Sequence, residues 1–264
     1  MVASVLKKIL KRSYVFFILV FLHAPIAMLI VFSFNNSRSR VKWDGFTLKW
    51  YAELLTDQTI LRSFYITIIL AVVSSIVATI FGTIAAIVIH RMKPMFGTIM
   101  ANITYVPILN PDIVTGISLM LMFIFIKFPL GFFSLLISHI TFSLPFVVIS
   151  VLPKLKELDS KLLDAALDLG ASPFYAYTRV ILPQISQGIV TGFLLAFTMS
   201  IDDFVISFFN TGAGISNLAI TIYSMARRGI NPKINALLTI VFTTVLLLTI
   251  VVNKRMNSKV GDGR

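Results

Sequence analysis

Asp112, Asp202 and Asp203 fall inside or at the edge of long apolar runs, and the interiors of those runs hold no Lys or Arg, Lys127 standing at the end of one. A charged side chain at the depth of a hydrocarbon core is costly, so it normally faces a partner, water or a conduction pathway. An acidic route without bases favours a cation and repels phosphate, sulfate or molybdate. Asp112 lies in "NPDI", behind a proline that breaks its run. The plainer alternative makes it an early-turn acid on a restarted helix, where the helix dipole favours it. In "SIDDF", Asp202 and Asp203 point to different faces of a continuous helix, so at most one faces a lumen. An interfacial position would remove the cost for both.

The elements that must hold these acids are membrane helices. Of 264 residues, 57% are hydrophobic and only 13% charged, where soluble proteins carry about a quarter charged. The class expected is an all-α integral membrane protein. Six apolar runs are long enough to cross: residues 14–34, 66–89, 97–126, 131–152, 188–209 and 237–252. The third is interrupted by "PILNPDI", and irregular backbone at membrane depth is tolerated only beside protein or water. The leading "KKILKR" resembles the start of a secretory signal, but no Ala-x-Ala site follows, so the first helix is expected to be retained.

The net charge of +12 lies mainly in the gaps between runs, which points to topology and not to nucleic acid. With the N-terminus inside, the inner segments carry Lys7, Lys8, Lys11 and Arg12; Arg91 and Lys93; Lys154, Lys156, Lys161 and Arg179; and Lys254, Arg255, Lys259 and Arg264. The first outer loop dilutes this bias with Arg38, Arg40, Lys42, Lys49 and Arg62. Both termini are therefore expected in the cytoplasm. Cysteine is absent, and His23, His90 and His139 show no metal-ligand spacing. The histidines read as structural or interfacial, and no metal is expected.

A polar stretch on the cytoplasmic side separates the fourth and fifth runs: "DAALDLGASPFYAYTRVILP", Asp164 to Pro183. Asp159 or Ser160 is placed to cap a first helix, Gly170 to close it in the left-handed conformation, and Ser172-Pro173 to start a second. Pro183 ends or kinks that second helix. Ala165-Ala166 leaves one face open to close approach by another surface. A capped hairpin alone is ordinary. The full spacing of Asp164, Ala165, Ala166, Gly170, Val180, Leu182 and Pro183 resembles the EAA motif of ABC-importer permeases, with Asp164 for Glu and Val180 for Ile.

That resemblance implies the type I (MetI-like) permease fold: six transmembrane helices in one domain over 1–264, with a core at about 60–254 and a cytoplasmic coupling hairpin at about 155–185. It implies that the hairpin docks on a separate ATPase, whose closure rocks the membrane helices. This chain has no Gly-x4-Gly-Lys phosphate loop and no Gly-Lys dipeptide, so ATP and Mg are expected on the partner and no cofactor here.

Over nearly its whole length the chain resembles the PotC-type permeases of spermidine/putrescine importers, in "FNNSR", "GFTLKWY", "PDIVTGISL", "SHITFSLPFVV", "FTMSIDDFVISFF" and "IYSM". It departs from the family's aromatic pattern at His23 and Leu152. The resemblance ties Trp50, Asp112, Ser200, Asp202 and Asp203 to polyamine passage. It also implies a second, PotB-like permease, a PotA-like ATPase homodimer and a PotD-like extracytoplasmic binding protein, all serving the bacterial inner membrane. Carboxylates pair with ammonium groups, and Trp offers a cation–π face. Trp50 also suits an interfacial aromatic belt, and Ser200 a bond to a carbonyl of its own helix. Importers of other substrates, and ion-driven carriers with broken helices, remain open alternatives. No nucleophile, base and orienting group stand at a spacing that suggests an enzyme.

Overall fold

A computed structural model describes residues 2–37, 42–159, 161–229 and 232–261, with side chains described from residue 10 to 247 except Val245. Ser160, Arg38, Arg40 and Arg264, and the side chains of Lys7, Lys8, Lys254, Arg255 and Lys259, lie outside that description. The helices in chain order are α1 (Val2–Ser33), α2 (Lys49–Thr56), α3 (Gln58–Arg91), α4 (Pro94–Leu109), α5 (Asp112–Phe125), α6 (Phe132–Glu157) and α7 (Leu162–Asp168). There follow α8 (Pro173–Ala176), a π-helical turn (Tyr177–Ile181), α9 (Leu182–Gln184), α10 (Ser186–Asp202), α11 (Val205–Asn210), α12 (Leu218–Arg227) and α13 (Pro232–Gly261). The contacts gather into two units, residues 62–221 and residues 1–61 with 222–264.

Among the described residues, three helices are long and apolar enough to span a membrane alone, Leu10–Ser33, Gln58–Arg91 and Phe132–Glu157. Two bent pairs pass the same test when taken together: α4 with α5 at 101°, and Pro173–Gln184 with Ser186–Asp202 at 73°. The run at 237–252 falls within α13, part of whose side chains is outside the description. Helix α1 starts at Val2 and not near residue 14, because Lys and Arg are good helix formers and a charged segment extends a helix without ending it. Phe17 is 69% exposed and Phe21 79%. Such a bare aromatic surface is what lipid or another membrane helix covers.

Within residues 62–221 the densest packing joins α6 to α10. Glycine permits it. A Cβ on Gly192 would stand 3.1 Å from the Val147 Cα, and one on Gly188 would stand 2.9 Å from the Ser150 carbonyl oxygen. Small residues let membrane helices approach backbone to backbone. The core built there holds Val147, Val151, Leu152 and Leu155 of α6 with Ala78, Ala86, Ile185 and Ala196.

The break between α4 and α5 has a local cause. Asn110 precedes a proline and takes the extended conformation, ψ 140°. Pro111 offers no N–H to continue the ladder. The run at 188–209 is also broken, contrary to expectation: α10 stops at Asp202, Asp203 is extended, and α11 restarts at Val205. Asp203 makes the break itself, its Oδ1 accepting from the Ile206 N–H at 3.1 Å and its Oδ2 from the Ser207 N–H at 2.7 Å. A carboxylate that satisfies two free donors caps a new helix start.

In the other unit, "FNNSR" and "GFTLKWY" meet. The Asn35 side chain accepts from the Asp44 N–H at 2.9 Å and donates to the Lys42 carbonyl at 2.8 Å, while Phe34 stacks on Phe46. Lys233 at the start of α13 pairs with Glu53 at 3.1 Å and Asp57 at 3.5 Å.

Candidate functional site

The two helix breaks of residues 62–221 carry the acids. Asp112 is the first residue of α5 and Asp202 the last of α10, and both are exposed. Asp203 differs: its side chain is only 7% exposed, with both oxygens holding α11. The two neighbours part because the helix ends between them, not because they occupy two faces of one helix.

Beneath Asp202 runs a buried polar chain. Ser200 is fully buried, and its Oγ lies 2.7 Å from His139 Nδ1 and 3.1 Å from Ser74 Oγ. It therefore bonds between helices, where a bond to its own helix was the plain expectation. The other ring nitrogen of His139, Nε2, lies 2.9 Å from Ser207 Oγ and 3.5 Å from Asp203 Oδ2. Asn217 Nδ2 donates to Ser207 Oγ at 2.7 Å and to the Asp203 carbonyl at 3.2 Å. Asn210 Nδ2 donates to the Gly116 carbonyl at 3.0 Å, which ties α11 to the helix that begins with Asp112. Sequence reasoning read His139 only as structural or interfacial and passed over Ser207 and Asn217. Their only signal is a cluster of polar residues in apolar helices, at positions far apart in the chain.

Trp50 belongs to the other unit and is 2% exposed. Its indole N–H donates to the Asn35 carbonyl at 2.7 Å, and the Lys49 ammonium already stands 5.5 Å from its ring. In this structure the ring packs against the loop that starts at Asn35 and carries the cation of its neighbour Lys49.

The polar hairpin follows its punctuation. Gly170 has φ +86°, and the chain closes α7 with Gly170 N–H to the Leu167 carbonyl at 2.9 Å and Ala171 N–H to the Ala166 carbonyl at 3.1 Å. This is the paired closure of a Schellman end. Ser172 accepts the Tyr175 N–H at 3.3 Å and Pro173 opens α8. At the start of α7 Lys161 holds the cap position, and Asp159 takes the Lys161 N–H at 2.9 Å in the preceding turn; the other expected cap, Ser160, lies outside the described residues. Pro183, lacking an N–H, follows the π-helical turn and precedes the 73° bend. Leu182 packs against the core, while Asp164 and Ala165 are exposed and Ala166 half-buried.

The second arm is anchored and the tip is bare. Ala176, Ile181 and Ile185 are buried, and Arg91 donates to the Tyr177 hydroxyl at 2.8 Å. Leu169 is 89% exposed and Phe174 80%. The tip of a seated hairpin thus leaves two large apolar side chains uncovered. Among the described residues no cluster of three or more His, Asp or Glu side chains is placed to hold a metal.

Residues 78–260 match the family described as the binding-protein-dependent transport system inner membrane component. The spermidine/putrescine transport system permease protein PotC of Escherichia coli (strain K12) is 40% identical over 243 residues, 92% of each chain. The putrescine transport system permease protein PotI of the same organism is 37% identical over 232 residues, 85% of this chain and 83% of its own. Among solved structures, a bacterial ABC transporter involved in the import of the acidic polysaccharide alginate superposes with a TM-score of 0.77 at 14% identity, over 96% of this chain and 97% of that chain. The inward-facing MetNI methionine ABC transporter gives 0.59 at 16% identity, over 75% and 94%. These two show a shared fold. This all-helical, multi-pass membrane chain belongs to the family of inner membrane components of binding-protein-dependent transport systems.

Proposed function

We propose that this chain is the permease subunit of an ABC importer that carries polyamines such as spermidine and putrescine across the cytoplasmic membrane. The observation that carries this reading is the pair of exposed carboxylates, Asp112 and Asp202, each at a helix break in apolar surroundings without bases. Carboxylates so placed gain from a cation, and a linear polycation supplies several ammonium groups in a row. The names of the PotC and PotI relatives agree with that chemistry.

In this reading Asp112 and Asp202 receive the ammonium groups. Ser200 and Asp203 act from behind, holding the end of α10 and the start of α11. Trp50 secures the turn after α1 through its bond to the Asn35 carbonyl. The chain performs no hydrolysis. ATP and Mg belong to a PotA-like ATPase pair, which receives the tip formed by Asp164, Ala165, Ala166, Gly170 and the exposed Leu169 and Phe174. Leu182 and Pro183, at the base, pass the movement to α10 through the 73° bend. A PotB-like permease completes the membrane part, a PotD-like protein delivers substrate from outside, and both termini lie in the cytoplasm.

Competitive uptake by proteoliposomes holding the whole complex tests the proposal. Unlabelled spermidine and putrescine are expected to suppress uptake of labelled polyamine, while phosphate, sulfate and molybdate have no effect. Suppression by an anion at equal concentration would refute it.

A further inference from the structure

The break at Asp203 is bridged by a single ring. His139 Nδ1 reaches Ser200 in the last turn of α10 at 2.7 Å, and Nε2 reaches Ser207 in the first turn of α11 at 2.9 Å. The ring is fully buried on α6 and touches neither exposed carboxylate. We propose that His139 is a positioning residue for transport: it fixes the angle between α10 and α11 and so sets Asp202 opposite Asp112.

Proton accounting supports a fixed strut. Asn217 donates to the Ser207 oxygen at 2.7 Å, and the Asp203 carboxylate stands 3.5 Å from Nε2. An acceptor-only carboxylate beside Nε2 favours the imidazole proton there, so a neutral ring donates from Nε2 and accepts at Nδ1. One neutral ring thus makes two bonds of opposite sense, and it cannot turn over without breaking both. The alternatives are shorter. An Asn at 139 reaches the level of Nδ1 and a Gln the level of Nε2, so each retains one bond and neither joins α10 to α11.

The proposal rests on the polyamine reading, so its test separates the two. Uptake of labelled spermidine is measured for the whole complex carrying His139→Gln, Asp202→Asn or both, with His139→Asn as a second variant. His139→Gln and His139→Asn are each expected to raise KM about tenfold, with subunit assembly and ATPase stimulation retained. In the Asp202→Asn background the same changes are expected to add less than a twofold effect, because the group they position is already gone. Multiplying effects would overturn the positioning role and leave the polyamine reading standing, as would an unchanged KM in both His139 variants. Wild-type uptake by Asp202→Asn would overturn the polyamine reading and this inference together.

Discussion

Gly170→Val isolates the hairpin from everything else in the molecule. At φ +86° the position lies in the left-handed region, and a Cβ there meets nothing within 4 Å. The penalty is therefore torsional and not steric. It amounts to about 1–2 kcal/mol for an L-residue, with a β-branched side chain at the upper end. Burial cannot offset it, because Leu169 beside it is 89% exposed. One to two kcal/mol is roughly a 5–30-fold fall in the closed hairpin. Asn tolerates the left-handed conformation, so Gly170→Asn is expected to lose less than threefold. The assay is ATPase activity of the purified complex with and without substrate-loaded binding protein, together with uptake by the same vesicles. Gly170→Val is expected to cut uptake at least fivefold while the chain stays in the membrane with its partner permease. Equal coupling in the Val and Asn variants would refute the reasoning, since the two differ chiefly in the cost of positive φ.

Asp112→Asn removes one charge-assisted contact worth about 1.5 kcal/mol, so KM for spermidine is expected to rise roughly tenfold in uptake assays with assembly intact. Raising ionic strength is expected to weaken wild-type uptake more than uptake by Asp112→Asn, because salt screens charge pairs; parallel curves would contradict this. Phe174→Asp, at a side chain 80% exposed, is expected to abolish co-purification of the ATPase without moving the thermal midpoint of the isolated permease pair. Gly192→Ala drives a methyl to 3.1 Å from the Val147 Cα, and such overpacking is expected to cost about 1–3 kcal/mol, read as a lowered melting temperature in detergent.

What was legible in the sequence was local. The hairpin's Gly170, Ser172-Pro173 and Pro183 each act on their own backbone, so their types disclose the turn that they make. Pro111 disclosed the first break in the same way. The second break had no such mark, for "SIDDFVISFF" contains neither Pro nor Gly. It arises from a side chain, when Asp203 takes the N–H groups of Ile206 and Ser207. The strut of Ser74, His139, Ser200, Ser207 and Asn217 was invisible for a different reason. Its members come from four helices and a loop, and none is unusual alone. The burial of Trp50 was not legible either, because an exposed indole and a buried one are spelt alike and its partner, Asn35, stands fifteen positions away.

The helix ends also distinguish the two exposed acids. Asp112 begins α5, where the free N–H groups and the positive end of the dipole favour its charge by about 0.3–1 kcal/mol. Asp202 ends α10, where the dipole is negative and disfavours its charge by a similar amount. Asp203 meets two N–H donors of the following helix, whereas Asp202 stands exposed at the end of its own. A group in that position gains most from an incoming cation and relaxes least without one. Under the proposed function, the end of α10 thereby keeps an unmet charge for the cargo to meet. The hairpin at the other end of the same bent pair is then the proposed point of entry for ATP-driven movement.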